Sequence, residues 1–395
     1  MEKADILIVG AGLSGATIAR EYADNGISVL VIDKRTHIGG NVYDFQDKET
    51  GIRMSQYGAH LFHTDDVGVW LFVQRFGEWK RWDHRVIADI SGVLVPVPVN
   101  INTVNGLFGS ALKTSEEMDT WLESVQVPIQ DVKNSEDVAR RRVGDRLYDL
   151  MFKPYTVKQW AKTPAELEPS VLERIPVRNN FDDRYFSDRF QALPVDGYTS
   201  IVKNMLDHPN ITVRLECDWT TISSVGGWKE LIFTGPIDTY FKDKGLPPLE
   251  YRSIKFDIQR LNLGGGFYQP NSVVNYPSAN NVHTRCVEYK HFLNQKSDWT
   301  VLAKESTCDA GPADEPYYPV PTQGNRDAYK KYAELAAAEE GVHFVGRLAS
   351  YKYFNMDQAI RNSLDYFRDV LKPRIEVMKK ESPQIVISEL VALEA

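Results

Sequence analysis

The sequence predicts an α/β fold: a parallel-sheet domain interrupted by a helical insert and by an antiparallel β-sheet insert. Three observations carry that expectation. The chain opens on a strand, a Gly-rich turn, a helix and a second strand in immediate succession. From Asn102 to about Arg174 the apolar spacing is helical. Between Arg252 and Lys304 one strand pattern follows another, and helix and strand alternate again from Arg326 to Phe367.

Asp5-Ile6-Leu7-Ile8-Val9 is a continuous apolar run, as expected of a strand buried on both faces of a parallel sheet. It leads into Gly10-Ala11-Gly12-Leu13-Ser14-Gly15 and an amphipathic stretch to Asn25. Gly10 permits a tight turn, Gly12 lets backbone approach a pyrophosphate, and Gly15 lets helix and strand pack closely. The free N–H groups at the helix start suit the phosphates. Ser28-Val29-Leu30-Val31-Ile32 ends in Asp33, an acid about 20 residues past the glycines that suits ribose hydroxyls. Arg35-Thr36-His37-Ile38-Gly39-Gly40-Asn41 follows at once. A Gly pair there lets the chain fold back over a bulky cofactor, as in FAD enzymes, so an FAD-binding Rossmann-like domain is expected.

Further on, Asp65 or Asp66 can cap a helix to Phe76. Val86 to Val99 reads as a hairpin around Ser91-Gly92, with Pro96 and Pro98 on an edge arm. Ser115 is a candidate cap, and Thr163-Pro164-Ala165-Glu166 reads as a helix start. Pro154 should break the aromatic and basic stretch from Gly144 to Trp160. The domain expectation is discontinuous: 1–85, 195–245 and 320–373 for the nucleotide fold, 100–180 for a helical substrate and lid domain, 86–99, 181–194 and 246–319 for the antiparallel sheet, and 374–395 for a tail.

With 43% hydrophobic and 25% charged residues, the composition is that of a soluble globular protein. A net charge of -8 argues against a nucleic-acid partner, and it requires local Arg or Lys wherever a diphosphate binds. Cys217, Cys286 and Cys308 show no metal or redox spacing, which suits buried thiols in a reducing compartment. The first strand begins too early for a signal peptide, and no apolar run is long enough to span a membrane, so a cytoplasmic location is expected. His60 and His63 lie three apart, yet no third or fourth metal ligand has sensible spacing.

Several stretches are long and unusual in composition: HIGGN at 37–41, YGAHLFHT at 57–64, FKPYTVKQW at 152–160, LERIPVR at 172–178 and RYFSDRFQALP at 184–194. VVNYP at 273–277, TRCVEYKHF at 284–292, PYYPV at 316–320 and GRLASYKYFNMD at 346–357 continue the series. Together they resemble the UDP-galactopyranose mutase family, over residues 6 to 371.

The resemblance implies interconversion of UDP-galactopyranose and UDP-galactofuranose without net redox. In that chemistry reduced FAD attacks the anomeric carbon through N5, UDP leaves, and the sugar opens as a flavin iminium before closing through another hydroxyl. It implies diphosphate contacts from Arg174, Arg285, Tyr318 and Tyr353. A uridine and lid region is implied at Phe152, Tyr155, Thr156, Trp160, Tyr185 and Phe186, where a base can stack. His60, His63 and Asn275 are implied beside flavin and sugar. Cofactor contacts are implied at Gly10, Gly12, Leu13, Ser14, Gly15, Asp33, Lys34, Gly40, Asn41, His60, Leu61, Arg347, Tyr353, Met356 and Asp357. The helix start near Met356 is expected to favour an anionic reduced flavin. A reductant such as NAD(P)H is implied, and a homodimer is left open.

The chain also departs from the family pattern. His84 stands where members often have Asn near the sugar, His283 replaces a Pro-Tyr pair, and Ser306 replaces a Tyr after Glu305. An N-acetylgalactosamine substrate therefore stays open, as do an FAD amine oxidase and a flavin-binding protein without turnover.

Overall fold

In this computed structural model, residues 3–224, 226–311, 313–378 and 385–386 are described. Five parallel strands form the nucleotide domain, in the order Ile211–Arg214, Val29–Ile32, Ile6–Val9, Glu230–Phe233, Val342–Phe344. Ile6–Val9 lies at the centre, in register with Val29–Ile32 on one side and Glu230–Phe233 on the other. Its fully apolar run follows from that place, since both faces are covered. Helices Leu13–Asp24, Tyr198–Leu206 and Met356–Tyr366 contribute to the main core over this sheet.

Helices Ile101–Phe108, Ser115–Val125, Ser135–Leu147 and Lys153–Trp160 form the helical insert, with a second core. Thr114, not Ser115, caps the second of these helices. It accepts from the Glu117 N–H at 3.2 Å while Glu117 reaches back, a reciprocal box that Ser115 has the wrong phase to make. Pro154 does not break the stretch. A π-helical turn, Tyr148–Phe152, precedes it, and Pro154 falls in the first turn of the next helix, where its missing N–H leaves no bond unmade. Thr163 and Glu166 do form a capping box, but only the 3-10 turn Pro164–Glu166 follows.

A seven-stranded sheet forms the third layer: Tyr318–Pro319, Tyr251–Asn262, Trp299–Asp309, Arg285–Glu288, Val273–Asn275, Val86–Ile90, Val93–Val97. It is antiparallel except where Val273–Asn275 runs parallel to Val86–Ile90. Those strands are distant in sequence, so no hairpin turn dictates their direction. Phe190–Pro194 differs from the expected 181–194 assignment, because it pairs with Phe62–Thr64 and Trp79–Arg81 in a separate three-stranded sheet. The expected 374–395 tail lies largely outside the described residues. Within it, Ile375–Met378 is helical and Ile385–Val386 pairs antiparallel with Lys3–Ala4. Among the described residues no helix is long and apolar enough to cross a membrane.

Candidate functional site

The Gly-rich turn is built as a cradle of bare backbone. Gly10 has a φ of +109°, and a Cβ on Gly15 would sit 1.9 Å from the Gly10 carbonyl oxygen. A Cβ on Gly12 would sit 3.6 Å from the Gly40 Cα, so the two Gly-bearing segments approach backbone to backbone. Gly12 is the N-cap of helix Leu13–Asp24 and offers no side chain to its first turn, which leaves Leu13, Ser14 and Gly15 as open donors. The Asp33 carboxylate holds the turn to the end of the second strand, accepting from the Ala11 N–H at 2.9 Å and the Arg35 N–H at 3.0 Å. A carboxylate has further lone pairs, so it can still accept from ribose hydroxyls. Asn41 accepts from Arg35 at 2.8 Å, and Lys34 pairs with Glu315 at 3.4 Å. Backbone donors, an acid and a space that no Cβ could share are what a dinucleotide requires.

A cavity of about 270 Å³ opens between the three layers. Every residue expected to touch substrate lines it: Phe152, Tyr155, Thr156, Trp160, Tyr185, Phe186, Asn275, Tyr318, Tyr353 and His84, with Arg174, Arg285, His60 and His63. Of the expected cofactor residues, Leu61, Arg347 and Met356 line it as well. The Gly-turn residues, Asp33, Lys34, Gly40, Asn41 and Asp357 do not line it. The two groups nevertheless adjoin, because Gly346, the neighbour of Arg347, packs so closely on Ser14 that a Cβ there would lie 2.8 Å from its hydroxyl.

One end of the cavity is cationic. The Arg174 guanidinium lies 4.5 Å from the centre of the Tyr353 ring, and that of Arg347 lies 5.6 and 5.5 Å from the rings of Tyr318 and Tyr353. Tyr318 and Tyr353 stack at 5.3 Å. Burial alone raises a phenol's pKa, yet Arg174 and Arg347, with Arg285 behind them, hold Tyr353 below its usual value. The field at this end therefore favours an anion. Arg285 adds a guanidinium anchored through Nε to Glu305 Oε2 at 2.6 Å.

Histidines also line the cavity, within the field of Arg285 and Arg347. His60 Nδ1 lies 2.8 Å from the Gly58 carbonyl oxygen, which can only accept, so Nδ1 bears the proton and Nε2 the lone pair. Burial pushes its pKa down to about 4. His63 meets one short segment: it stacks on Phe186 at 3.7 Å, and its Nδ1 lies 3.0 Å from Asp188 Oδ2, close enough for an ion pair but without hydrogen-bond alignment. His84 is buried, its Nδ1 has no partner among the described residues, and burial together with Arg285 pushes it down to about 3, so it is neutral. Trp160 is both core and lining. It is buried in the helical core, and its ring lies 6.4 and 6.3 Å from Tyr318 and Tyr353. The Asp357 carboxyl bonds to Thr64, and burial raises its pKa. The neighbouring Asn355 and Met356 present the helix start to the cavity.

The family model for UDP-galactopyranose mutase matches residues 150–353, and that for an NAD(P)-binding Rossmann-like domain matches residues 8–76. A probable UDP-galactopyranose mutase of Klebsiella pneumoniae is 37% identical over 365 residues, covering 92% of this chain and 94% of that protein. The chain belongs to the UDP-galactopyranose mutase family. A dTDP-fucopyranose mutase of Escherichia coli is also 37% identical, over 366 residues, covering 91% of this chain and 96% of that protein. A crystal structure of reduced UDP-galactopyranose mutase superposes with a TM-score of 0.72 at 16% identity, covering 94% of this chain and 96% of that one, and so shares the fold.

For a member of this family, two departures noted in the sequence become one feature. His283 Nδ1 and Ser306 Oγ share a hydrogen bond of 3.0 Å, so the replacements meet in space. Reading the sequence missed Asp188 and the part played by Glu305, because each acts through a partner distant in sequence. Asp188 could have been suspected from its place two residues beyond Phe186 in RYFSDRF. Gln159 and Pro277 also line the cavity without having been singled out.

Proposed function

We propose that the chain is a flavin-dependent isomerase that interconverts UDP-galactopyranose and UDP-galactofuranose. The observation that carries this reading is the cluster of Arg174, Arg285 and Arg347 around Tyr318 and Tyr353, in a cavity that the His60–His63 segment also lines. FAD, when bound in reduced form, supplies the nucleophile for the anomeric carbon. The Gly10–Gly15 turn, Asp33 and the segment from Gly346 to Met356 would hold it. A cellular reductant such as NAD(P)H would keep it reduced.

The chain's own residues do the rest. Forked guanidinium contacts from Arg174 and Arg285 neutralise the departing diphosphate and retain it for return. Tyr318 and Tyr353 donate hydroxyls to the same oxygens. Tyr155 and Phe152 stack on the base, while Trp160 closes the cavity against water. His60 offers a lone pair and can only accept from a sugar hydroxyl or a flavin N–H at Nε2. His63, stacked on Phe186 beside Asp188, faces the same space. His84 and Asn275 border the sugar.

The experiment is to incubate purified protein with UDP-galactofuranose, with and without dithionite, and to follow products by chromatography. Conversion only after flavin reduction supports the reading. Substrate-driven bleaching with peroxide release would overturn it in favour of an oxidase, which the relatives matching along the whole chain do not favour. A second reading, a mutase for dTDP-fucose, is favoured by the equal identity to the Escherichia coli relative. Assaying both nucleotide sugars side by side decides between the two.

A further inference from the structure

We propose that Lys158 is a positioning residue that locks the helix taking the nucleotide to the hairpin carrying Asn275 and Arg285. The proposal rests on the site reading above and adds a residue that touches none of the cavity.

Lys158 lies in Lys153–Trp160, the helix that brings Tyr155, Thr156 and Trp160 to the cavity. Its ammonium points away, into the loop that joins strands Val273–Asn275 and Arg285–Glu288. There four backbone carbonyl oxygens converge on Nζ within hydrogen-bonding reach: those of Ser278 at 3.0 Å, Asn281 at 2.9 Å, His283 at 2.8 Å, and Tyr276. No carboxylate pairs with it among the described residues. The loop thus coordinates the ammonium as it would a metal ion, with dipoles alone.

Four carbonyl oxygens converging on one point repel one another unless a cation sits between them. The loop's shape therefore depends on the charge at its centre. An ammonium has only three N–H groups, so the fourth carbonyl is served by the charge and not by a separate donor. The grip matters for the site because Asn275 and Arg285 stand opposite each other in register at the two roots of this loop. A second bond fastens the same helix turn: the Thr307 hydroxyl donates to the Lys158 carbonyl. Helix, hairpin and the long strand Trp299–Asp309 are thereby joined at one residue. Burial without a counter-ion lowers the Lys158 pKa to about 8, which still leaves the ammonium charged at neutral pH.

The test uses full-length, flavin-loaded protein carrying Lys158→Met, Lys158→Gln or Lys158→Arg. Amide hydrogen exchange of residues 276–284 is measured alone and with UDP, alongside UDP affinity and flavin content. Lys158→Met should exchange in that loop at least about tenfold faster and bind UDP about tenfold more weakly, with flavin content and exchange of residues 299–306 unchanged. UDP should restore part of the protection. Lys158→Arg, which keeps charge and donors, should recover more of both than Lys158→Gln. Unchanged loop exchange in Lys158→Met, or equal behaviour of the Gln and Arg variants, would overturn the proposal. If Lys158→Met does not fold, the Gln and Arg pair carries the same comparison. Failure of the unsubstituted protein to bind UDP would instead sink the site reading, and the exchange measurement would still decide whether Lys158 organises the loop.

Discussion

Arg285 and Glu305 face each other in register across two antiparallel strands, and Arg285 Nε lies 2.6 Å from Glu305 Oε2. The carboxylate is almost wholly buried, with 2% of its side chain exposed, and among the described residues the arginine is its only ion-pair partner. Removing one partner of such a pair strands the other charge. Among the described residues Arg174 has no carboxylate partner; its Nε donates to the Val171 carbonyl and its face lies over Tyr353.

The two arginines should therefore fail differently. Arg174→Ala and Arg285→Ala are each expected to lower turnover by about 100-fold or more while retaining FAD. Arg285→Ala should in addition lose about 3–5 kcal/mol of folding stability in denaturant unfolding. Adding Glu305→Gln to Arg285→Ala should return most of that stability and none of the turnover. Near-normal activity in both single variants would remove the diphosphate role from them.

Tyr353 reports the potential of the cationic end. With Arg174 and Arg347 holding it below the usual phenol value against the effect of burial, its phenolate should appear first when the protein is titrated upward in pH. Bound UDP adds negative charge and should push that ionisation back up. Phenolate absorbance followed against pH, with and without UDP, checks this; a UDP-insensitive curve would place the nucleotide elsewhere.

His84 and His60 make the fold sensitive to acid. Their folded values are lowered, to about 3 and about 4, from 6.5. Below pH 6.5 the unfolded chain takes up protons that the native one refuses, so stability should fall from there down toward pH 3. Replacing the imidazole in His84→Asn should flatten that slope, as read by unfolding midpoints across the range. Since His84 stays neutral, it should contribute no ionisation to the turnover profile between about pH 5 and 8.

Gly15→Ala should abolish flavin retention, because the new methyl would lie 1.9 Å from the Gly10 carbonyl and force the turn open. Gly26→Ala is the control. No atom of the described residues lies within 4 Å of its added carbon, so only the strain of a φ of +80° applies. The yellow absorbance of the two purified variants tells them apart.

What was legible in the sequence was local or motif-borne. The Gly turn, Asp33, the Ser91-Gly92 hairpin and the cavity residues sit in short stretches whose composition reflects their own geometry. Thr114 escaped notice because capping depends on phase by a single residue. Pro154 misled because a π-helical turn ahead of it absorbed the missing donor. The pairing of Phe190–Pro194 with Phe62–Thr64, the approach of Asp188 to His63 and the carbonyl ring around Lys158 are long-range, and no periodicity records them.

The central place of Ile6–Val9 in the parallel sheet has a consequence for biosynthesis. Its neighbours on one side, Glu230–Phe233 and then Val342–Phe344, emerge from the ribosome long after it does. The nascent N-terminal segment must wait, with one edge unpaired, for most of the polypeptide to follow. Maturation of the holoprotein should accordingly be a late and slow event, governed by closure of distant contacts.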